Sequence, residues 1–361
     1  MELNMEMLTE LTEIRGIAGN EGQVRDAFRK YADEYSEEFL EDGLGGIFAK
    51  HTGNEEGPRL LIAGHSDEVG FMVKRITDEG FLTFQTIGGW WSQVVLAQQV
   101  EITTREGKVF HGVTGSKPPH VLSPEARQKP IDMDDIFIDI GATSKEQVLE
   151  WGIRQGDMIT PYIETRRINE GSPFLLAKAW DNRIGVAVAI EALKFAKENG
   201  HESVLFSGTN AQEEIGLRGA KVAPNLIKPD IAIAVDTGVA GDTPGMTAKE
   251  ADTKLGKGPL LMVYDATMVG HKGLREFITD IADEAGIPYQ FSFMPGGGTD
   301  AGSFHIAQNG IPSICIAVPV RYLHTHTSII HEDDYKYTVQ LVNKIIEKLD
   351  GKALETIRKN A

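Results

Sequence analysis

Four unbroken apolar runs, "RLLIAG", "SVLFSG", "DIAIAVDTG" and "SICIAVPV", constrain the fold of this chain more than any other feature. A continuous apolar strand is one buried on both faces, as strands inside a parallel sheet are. Between and after these runs lie helical stretches. "NRIGVAVAIEALKFAKENG" has Gly200 as its stop, "GLREFITDIADEAG" follows, and "DDYKYTVQLVNKIIEKLDG" closes the chain as a long amphipathic helix. Strands alternating with helices predict an α/β fold: a mostly parallel sheet with helices on both faces. Residues 1–38 also read as helical, with Asn20 expected as the cap of "NEGQVRDAFRKYADEY".

The first apolar run ends before residue 65 and the others begin after residue 200. Residues 69–176 have a different texture, with short alternating segments such as "FLTFQTI", "VEITTREGKVFHGVTG" and "IFIDIGA" broken by Gly and Pro. This predicts a small β-rich domain at 69–176 inserted into a discontinuous α/β domain made of 1–68 and 177–361. A chain of 361 residues is long enough for two cores.

Charge narrows the function. Lys and Arg number 36 against 53 Asp and Glu, a formal net charge of −17. Nucleic acid and anionic membrane surfaces call for clustered positive charge, so neither is an expected partner. Cys315 is the single cysteine, which rules out a disulfide framework within the chain. The opening "MELNMEMLTELTEIRG" is acidic and has no long apolar run, and no stretch approaches the ~20 apolar residues of a membrane helix. The expected location is the cytoplasm.

In open α/β sheets, ligands bind beyond the carboxyl ends of the strands. "LLIAG" runs into His65 and Asp67, "SVLFSGTNAQ" into Glu213 and Glu214, "AIAV" into Asp236, and "SICIAVPVRYL" into His324. Asp181 opens the helix after "LLAKAW". Almost every strand end thus carries a carboxylate or an imidazole. A His/Asp/Glu set without Cys suits Zn²⁺, Mn²⁺ or Co²⁺ in a catalytic site. The set is large enough for two ions joined by a bridging carboxylate. Each residue also has a plainer role open to it. Asp181 can cap a helix, Asp236 can form a turn, His65 can be a hydrogen-bonded core residue, and the glutamate pair can sit in a solvated loop. His324 competes with His326 and His331 in "HTHTSIIH". Convergence of all these residues on one sheet edge points to a metal site.

Six motifs occur in order: "GHSDEVGFMV", "KAWDNRIG", "AQEEIGLRGA", "AVDTGVAGDTPG", "GGGTDAGSFH" and "RYLHTH". With "GGWW", "GSKPPHVLSPEAR" and "DIGATS" of the insert, they resemble the dinuclear-metal aminopeptidase family of glutamyl, deblocking and TET (tetrahedral) aminopeptidases. The resemblance covers essentially the whole chain. It implies that His65 and Asp236 hold one ion, that Glu214 and His324 hold the other, and that Asp181 bridges them. It makes Glu213 the general base and gives Asp67 the orientation of His65. It selects His324 over His326, because the ligand follows "RY" and one apolar residue. It further implies two divalent ions per subunit, Zn²⁺ first with Co²⁺ or Mn²⁺ sharing the ligands. Peptides with a free N-terminus would be the substrates. The insert would be a dimerisation domain, and dimers would assemble into a dodecamer. One departure stands out. Asn210 and Ala211 separate the threonine from Gln212, where the family usually has one residue, and a bulge is expected there.

Three rival readings compete with this one. A glycosidase also uses paired carboxylates, but it needs no His–Asp metal set and usually shows more than 7% aromatic residues. A non-enzymatic metal-stabilised shell has no use for a base beside the ions. A related metal-dependent deacylase or carboxypeptidase would share the same ligands.

Overall fold

The computed structural model describes residues 2–361, so residue 1, the first of the expected 1–68 segment, lies outside the described residues. The chain begins with α1 (Met5–Glu13), where Asn4 caps the helix by accepting the Met7 N–H at 3.0 Å. Helix α2 (Gly22–Ala32) has no side-chain cap, contrary to the expectation for Asn20. Its N-cap position belongs to Glu21, whose carboxylate is taken up by the N–H groups of Gly19 and Gln212 at 2.8 and 3.1 Å. Strands β1 (Glu38–Glu41), β2 (Ile47–Thr52) and β3 (Arg59–His65) follow.

Past β3 the chain enters a closed barrel. It comprises β4 (Gly70–Ile76), β5 (Leu82–Ile87), β6 (Gln99–Thr103), β7 (Val109–Gly115), β8 (Phe137–Asp139) and β9 (Met158–Pro161), with the short α3 (Lys145–Glu150) before the last strand. Every pairing in it is antiparallel, and β4 closes onto β9 through Phe71↔Ile159. Phe71, Val73, Val100, Ile102, Ile138 and Ile159 fill a core separate from that of the α/β layers. The alternation seen in the sequence supplies the barrel's inward-facing residues. After Pro161 the chain leaves the barrel. β10 (Arg166–Arg167) and β11 (Phe174–Ala177) pair away from it, β11 with a strand near the C-terminus.

The remaining elements alternate as the apolar runs require: α4 (Trp180–Asn199), β12 (Val204–Asn210), α5 (Arg218–Ile227), β13 (Ile231–Val239), β14 (Leu260–Asp265), β15 (Met268–Val269), α6 (Lys272–Ala285), β16 (Gln290–Met294), α7 (Asp300–His305), β17 (Ser313–Val320), β18 (Ser328–His331), α8 (Glu332–Lys348) and α9 (Gly351–Lys359). The expected single closing helix ends at Lys348. Asp350 then caps α9 by accepting the Ala353 N–H at 2.7 Å.

Among the described residues the main sheet has nine strands, in the order β1-β2-β12-β3-β13-β17-β14-β15 with β16 beside β14. Its centre, β12-β3-β13-β17, is parallel, while β1, β2 and the β14–β17 pairing are antiparallel. Successive strand residues enter opposite faces. Leu60 and Ile62 join α1, α4 and α8 in one core, and Leu61 and Ala63 join α5 and α7 in the other. Cys315 lies in the second core as a small apolar residue. No bulge forms at Asn210–Ala211. β12 keeps one register with β3 through Asn210↔His65. The turn that follows starts after Ala211, where Gln212 takes a left-handed φ of 59°.

The strand order reverses at β3, which has later strands on both sides. The β3–β13 ladder stops at Ala63↔Ala234, whereas β13 stays paired with β17 through Val239. Beyond Ala63 the two strands therefore part. This is the crevice in which open α/β sheets bind ligands.

Candidate metal centre

His65 ends β3, Asp236 lies on β13 just past the parting of the ladder, and Asp181 lies in the first turn of α4. The helix start is brought close by two glycines. A Cβ on Gly64 would sit 2.7 Å from the Gly185 carbonyl carbon, and one on Gly185 would sit 2.4 Å from the Val235 oxygen. Asp181 is not the N-cap that one reading of it suggested. The capping position is Ala179, and Asp181 keeps non-helical angles (φ −81°, ψ 106°), with a cis peptide bond to Asn182. Asn182 fixes this turn on the sheet. Its Nδ2 donates to the Val235 oxygen at 2.7 Å and its Oδ1 accepts the Gly185 N–H at 3.0 Å.

The residues expected at the strand ends come together. His65 Nε2 lies 3.1 Å from Asp181 Oδ1, 3.8 Å from Asp236 Oδ1 and 3.9 Å from Glu213 Oε2. His324 Nε2 lies 3.4 Å from both Asp181 Oδ2 and Glu214 Oε2. The two oxygens of Asp181 thus face different histidines. His326 is not in this cluster; it packs 5.2 Å from the Trp90 ring. Each histidine of the cluster has its Nδ1 engaged, His65 with the Asp67 carbonyl at 2.9 Å and His324 with the Gly89 carbonyl at 3.0 Å. Donation from Nδ1 leaves each Nε2 with a free lone pair aimed into the cluster.

Asp67 meets His65 Nδ1 through its main-chain carbonyl, and its carboxylate, which was expected to orient that ring, stands farther off at 3.5 Å. Its Oδ1 and Oδ2 accept the backbone N–H groups of Glu213 and Glu214 at 2.9 and 3.1 Å. The turn carrying the pair closes on itself, with the Gly216 and Leu217 N–H groups donating to the Glu213 carbonyl. Asp300 of "GGGTDAGSFH" is buried here as well, and its Oδ2 accepts from Asn210 at 2.8 Å. The segment was legible only as one of the ordered motifs, and nothing in the sequence singled out Asp300 or Asn182 as site residues. Asn210 is visible in the sequence only as the extra residue before the glutamates.

The electrostatics demand positive charge. Burial and the neighbouring Asp181 push Asp236 up to about 8, and burial with Asp181 does the same to Glu214, against the pull of His324. Burial, followed by the charges of Asp236, Asp300 and Glu214, drives Glu213 well above the carboxylate range although His65 opposes it. Burial alone would raise Asp181, but the His324 and His65 rings against its two oxygens hold it well below that range. Glu214 Oε1 is buried and has no hydrogen-bond partner. Ligand atoms of His65, Glu213 and Asp236, and of His65, Asp181 and Glu214, lie within 4.8 Å of one another. Several carboxylates in a buried space, an orphaned carboxylate oxygen and free imidazole nitrogens fit divalent cations.

The site rests on a buried ion network. Glu68 holds Lys178 Nζ at 2.7 and 2.8 Å and Arg183 Nη2 at 3.1 Å. Arg183 also donates to the carbonyls of Leu11, Ile14, Gly16 and Ser66. This ties the end of α1, the turn after β3 and the start of α4 together.

The chain resembles known proteins over most of its length. The family described as M42 glutamyl aminopeptidase matches residues 45–341. The glutamyl aminopeptidase of Lactococcus lactis subsp. cremoris is 38% identical over 362 aligned residues, with 99% of each chain covered. Among solved structures, the TET aminopeptidase of a marine sediment Thaumarchaeota archaeon aligns with a TM-score of 0.95 at 42% identity, covering 98% of each chain. The TET1 peptidase of Pyrococcus horikoshii, described as able to assemble into a tetrahedron or a large octahedral shell, aligns with a TM-score of 0.85 at 31% identity, covering 96% of this chain and 99% of that one.

Proposed function

We propose, from the premise that the chain belongs to the M42 glutamyl aminopeptidase family, that it is a two-ion enzyme with Glu213 as its general base. Metal-dependent removal of N-terminal residues from peptides is the family's activity. His65 and Asp236 would hold one ion, Glu214 and His324 the other, and Asp181 would bridge them. Zn²⁺ is the first choice, with Co²⁺ and Mn²⁺ served by the same donors. The observation that carries this reading is the division of Asp181, with Oδ1 at 3.1 Å from His65 and Oδ2 at 3.4 Å from His324.

Divalent ions held there would acidify a water and polarise the scissile carbonyl. The chain's own part is proton movement and positioning. The raised affinity of Glu213 for a proton suits a group that takes one from water and returns it to the leaving amine. Asp67 holds the backbone on which both glutamates ride, so base and ligand keep a fixed relation. A second reading makes Glu213 a ligand, since its carboxylate lies within reach of His65 and Asp236. Metal content of a Glu213 variant separates the two.

The reading includes self-association. The barrel leaves Trp91, Val113 and Val121 exposed, which supports its use as a dimerisation surface. The reading puts one dimer along each edge of a tetrahedron, which makes a dodecamer. A cytoplasmic location belongs to the same proposal, in keeping with a single cysteine.

The test is a panel of aminoacyl-p-nitroanilides, each with a free and with an acetylated amine, assayed with Zn²⁺, Co²⁺ or Mn²⁺ and with a chelator. Metal-dependent cleavage of free amines alone is expected, together with the side-chain preference. Equal cleavage of the blocked substrates would move the assignment to a deacylase.

A further inference from the structure

The barrel reaches into the metal centre through the segment Gly88–Gly89–Trp90, just after β5. The Gly89 carbonyl lies 3.0 Å from His324 Nδ1. The space around these two glycines is tight. A Cβ on Gly89 would stand 3.1 Å from His324 Nδ1, and one on Gly88 would stand 3.1 Å from Glu214 Oε2 and 2.6 Å from Val69 Cγ1. Two adjacent residues that follow β5 thus leave no room for a side chain beside the two groups assigned to one ion.

Trp90 holds this segment down. Its ring stacks on Phe71 with centroids 4.7 Å apart and planes at 24°, and its Nε1–H donates to the Gly70 carbonyl at 3.1 Å. On another side lies His326, with centroids 5.2 Å apart. His326 is 4% exposed, and neither ring nitrogen has a hydrogen-bond partner. Burial keeps it neutral, so here it acts as a planar filler against Trp90 and Phe71. One short stretch of chain therefore supplies both the liganding His324 and the ring that packs on Trp90.

We propose that Gly88–Gly89–Trp90 is a positioning clamp for the His324–Glu214 half of the metal centre, held shut by the stacking of Trp90 on Phe71 and its tilted packing against His326. The clamp makes the barrel a determinant of affinity for one ion and not for the other. It rests on the two-ion reading given above. The hydrogen bond to the Gly89 carbonyl fixes the tautomer and direction of the His324 ring. Loss of such an outer partner typically weakens a metal site by ~10–100-fold.

The experiment uses the full-length chain, stripped with a chelator and titrated calorimetrically with Zn²⁺. Co²⁺ absorption spectra report the coordination of each site. Wild type is expected to bind two ions per subunit. Gly89→Ala adds one methyl group against the His324 ring, and Trp90→Ala removes the stack. Both should weaken one of the two sites by ~10–100-fold, alter its Co²⁺ spectrum and leave the other site unchanged. Trp90→Phe keeps a stacked ring and should restore most of the affinity. Phe293→Ala, at an aromatic residue of β16 that is 63% exposed, should bind as wild type does. If Gly89→Ala does not fold, the contrast between Trp90→Ala and Trp90→Phe decides. Two ions at wild-type affinity in Gly89→Ala and Trp90→Ala would overturn the clamp and leave the two-ion reading standing. Fewer than two ions in wild type would overturn both.

Discussion

The backbone N–H of Glu213 donates to Asp67 Oδ1 at 2.9 Å. With the Glu214 N–H on Oδ2, a single buried carboxylate fixes two adjacent residues to which different work is assigned. Side-by-side glutamates after a buried strand look costly in sequence. Here the pair sits on a turn whose amides point at a negative charge, and its carboxylates point at His65 and His324.

Replacing Asp67 by Asn should therefore damage both roles together. An amide keeps one acceptor and sets its N–H₂ group against one of the two backbone donors. A fall in kcat of ~10–100-fold with weakened metal binding is expected, because outer partners tune the ligands they hold. Parallel kinetics and metal titration check it. Lost activity at full metal affinity would restrict Asp67 to the base.

Glu213→Gln keeps size and burial but removes the proton acceptor. Two ions per subunit should remain, and kcat should fall by at least ~10²-fold. Elemental analysis beside steady-state kinetics decides between base and ligand. Loss of one ion would favour the ligand role, and normal turnover would exclude both.

Glu68→Ala strands Lys178 and Arg183, two cations with almost no solvent contact. Removing one partner of a buried ion pair costs ~3–5 kcal/mol, and the loss should appear in urea unfolding. Glu68→Gln should cost less, since its amide oxygen still accepts a hydrogen bond. A loss below ~1 kcal/mol in Glu68→Ala would show that the network is dispensable.

A histidine pair away from the site gives a pH signature. His201 Nε2 lies 2.9 Å from His51 Nδ1, and burial followed by the His51 charge pushes His201 down from 6.5 to about 4. A depressed pKa means the folded state binds the proton less readily than the unfolded chain. The stabilising contribution is complete above pH 6.5 and is lost as pH falls from there through about 4. The stability difference between wild type and His201→Gln, measured by urea unfolding at pH 7, 5 and 4, should therefore shrink as pH falls. A constant difference would contradict the assignment.

Much of this was legible in the chain itself. Buried parallel strands write themselves as unbroken apolar runs, and each run carries its terminal residue with it, so His65, Asp236 and the glutamate pair could be located one strand at a time. What the sequence did not disclose depends on contacts between distant segments. Asn20 looks like a cap, but Glu21 takes the capping position. The extra residue Asn210 looks like a bulge, but it extends the β3 ladder and reaches Asp300 with its side chain. His324 and His326 share a spacing that local geometry cannot resolve, and they part only because one meets Asp181 and the other meets Trp90. Glu68 sits in one motif and Lys178 and Arg183 in another, with nothing local to show that they touch.

The pairing of β4 with β9 has a consequence for how the centre is assembled. His65 and Asp181 are 116 residues apart along the chain, and bringing them together directly would close a long loop. Once Phe71 lies opposite Ile159, the open path between the two ligands shrinks to ~30 residues. The shortening spares about 1 kcal/mol of chain entropy at the moment the ligands meet. A barrel that folds first acts as a splint, holding the two ends of the metal centre near each other before either has an ion to share.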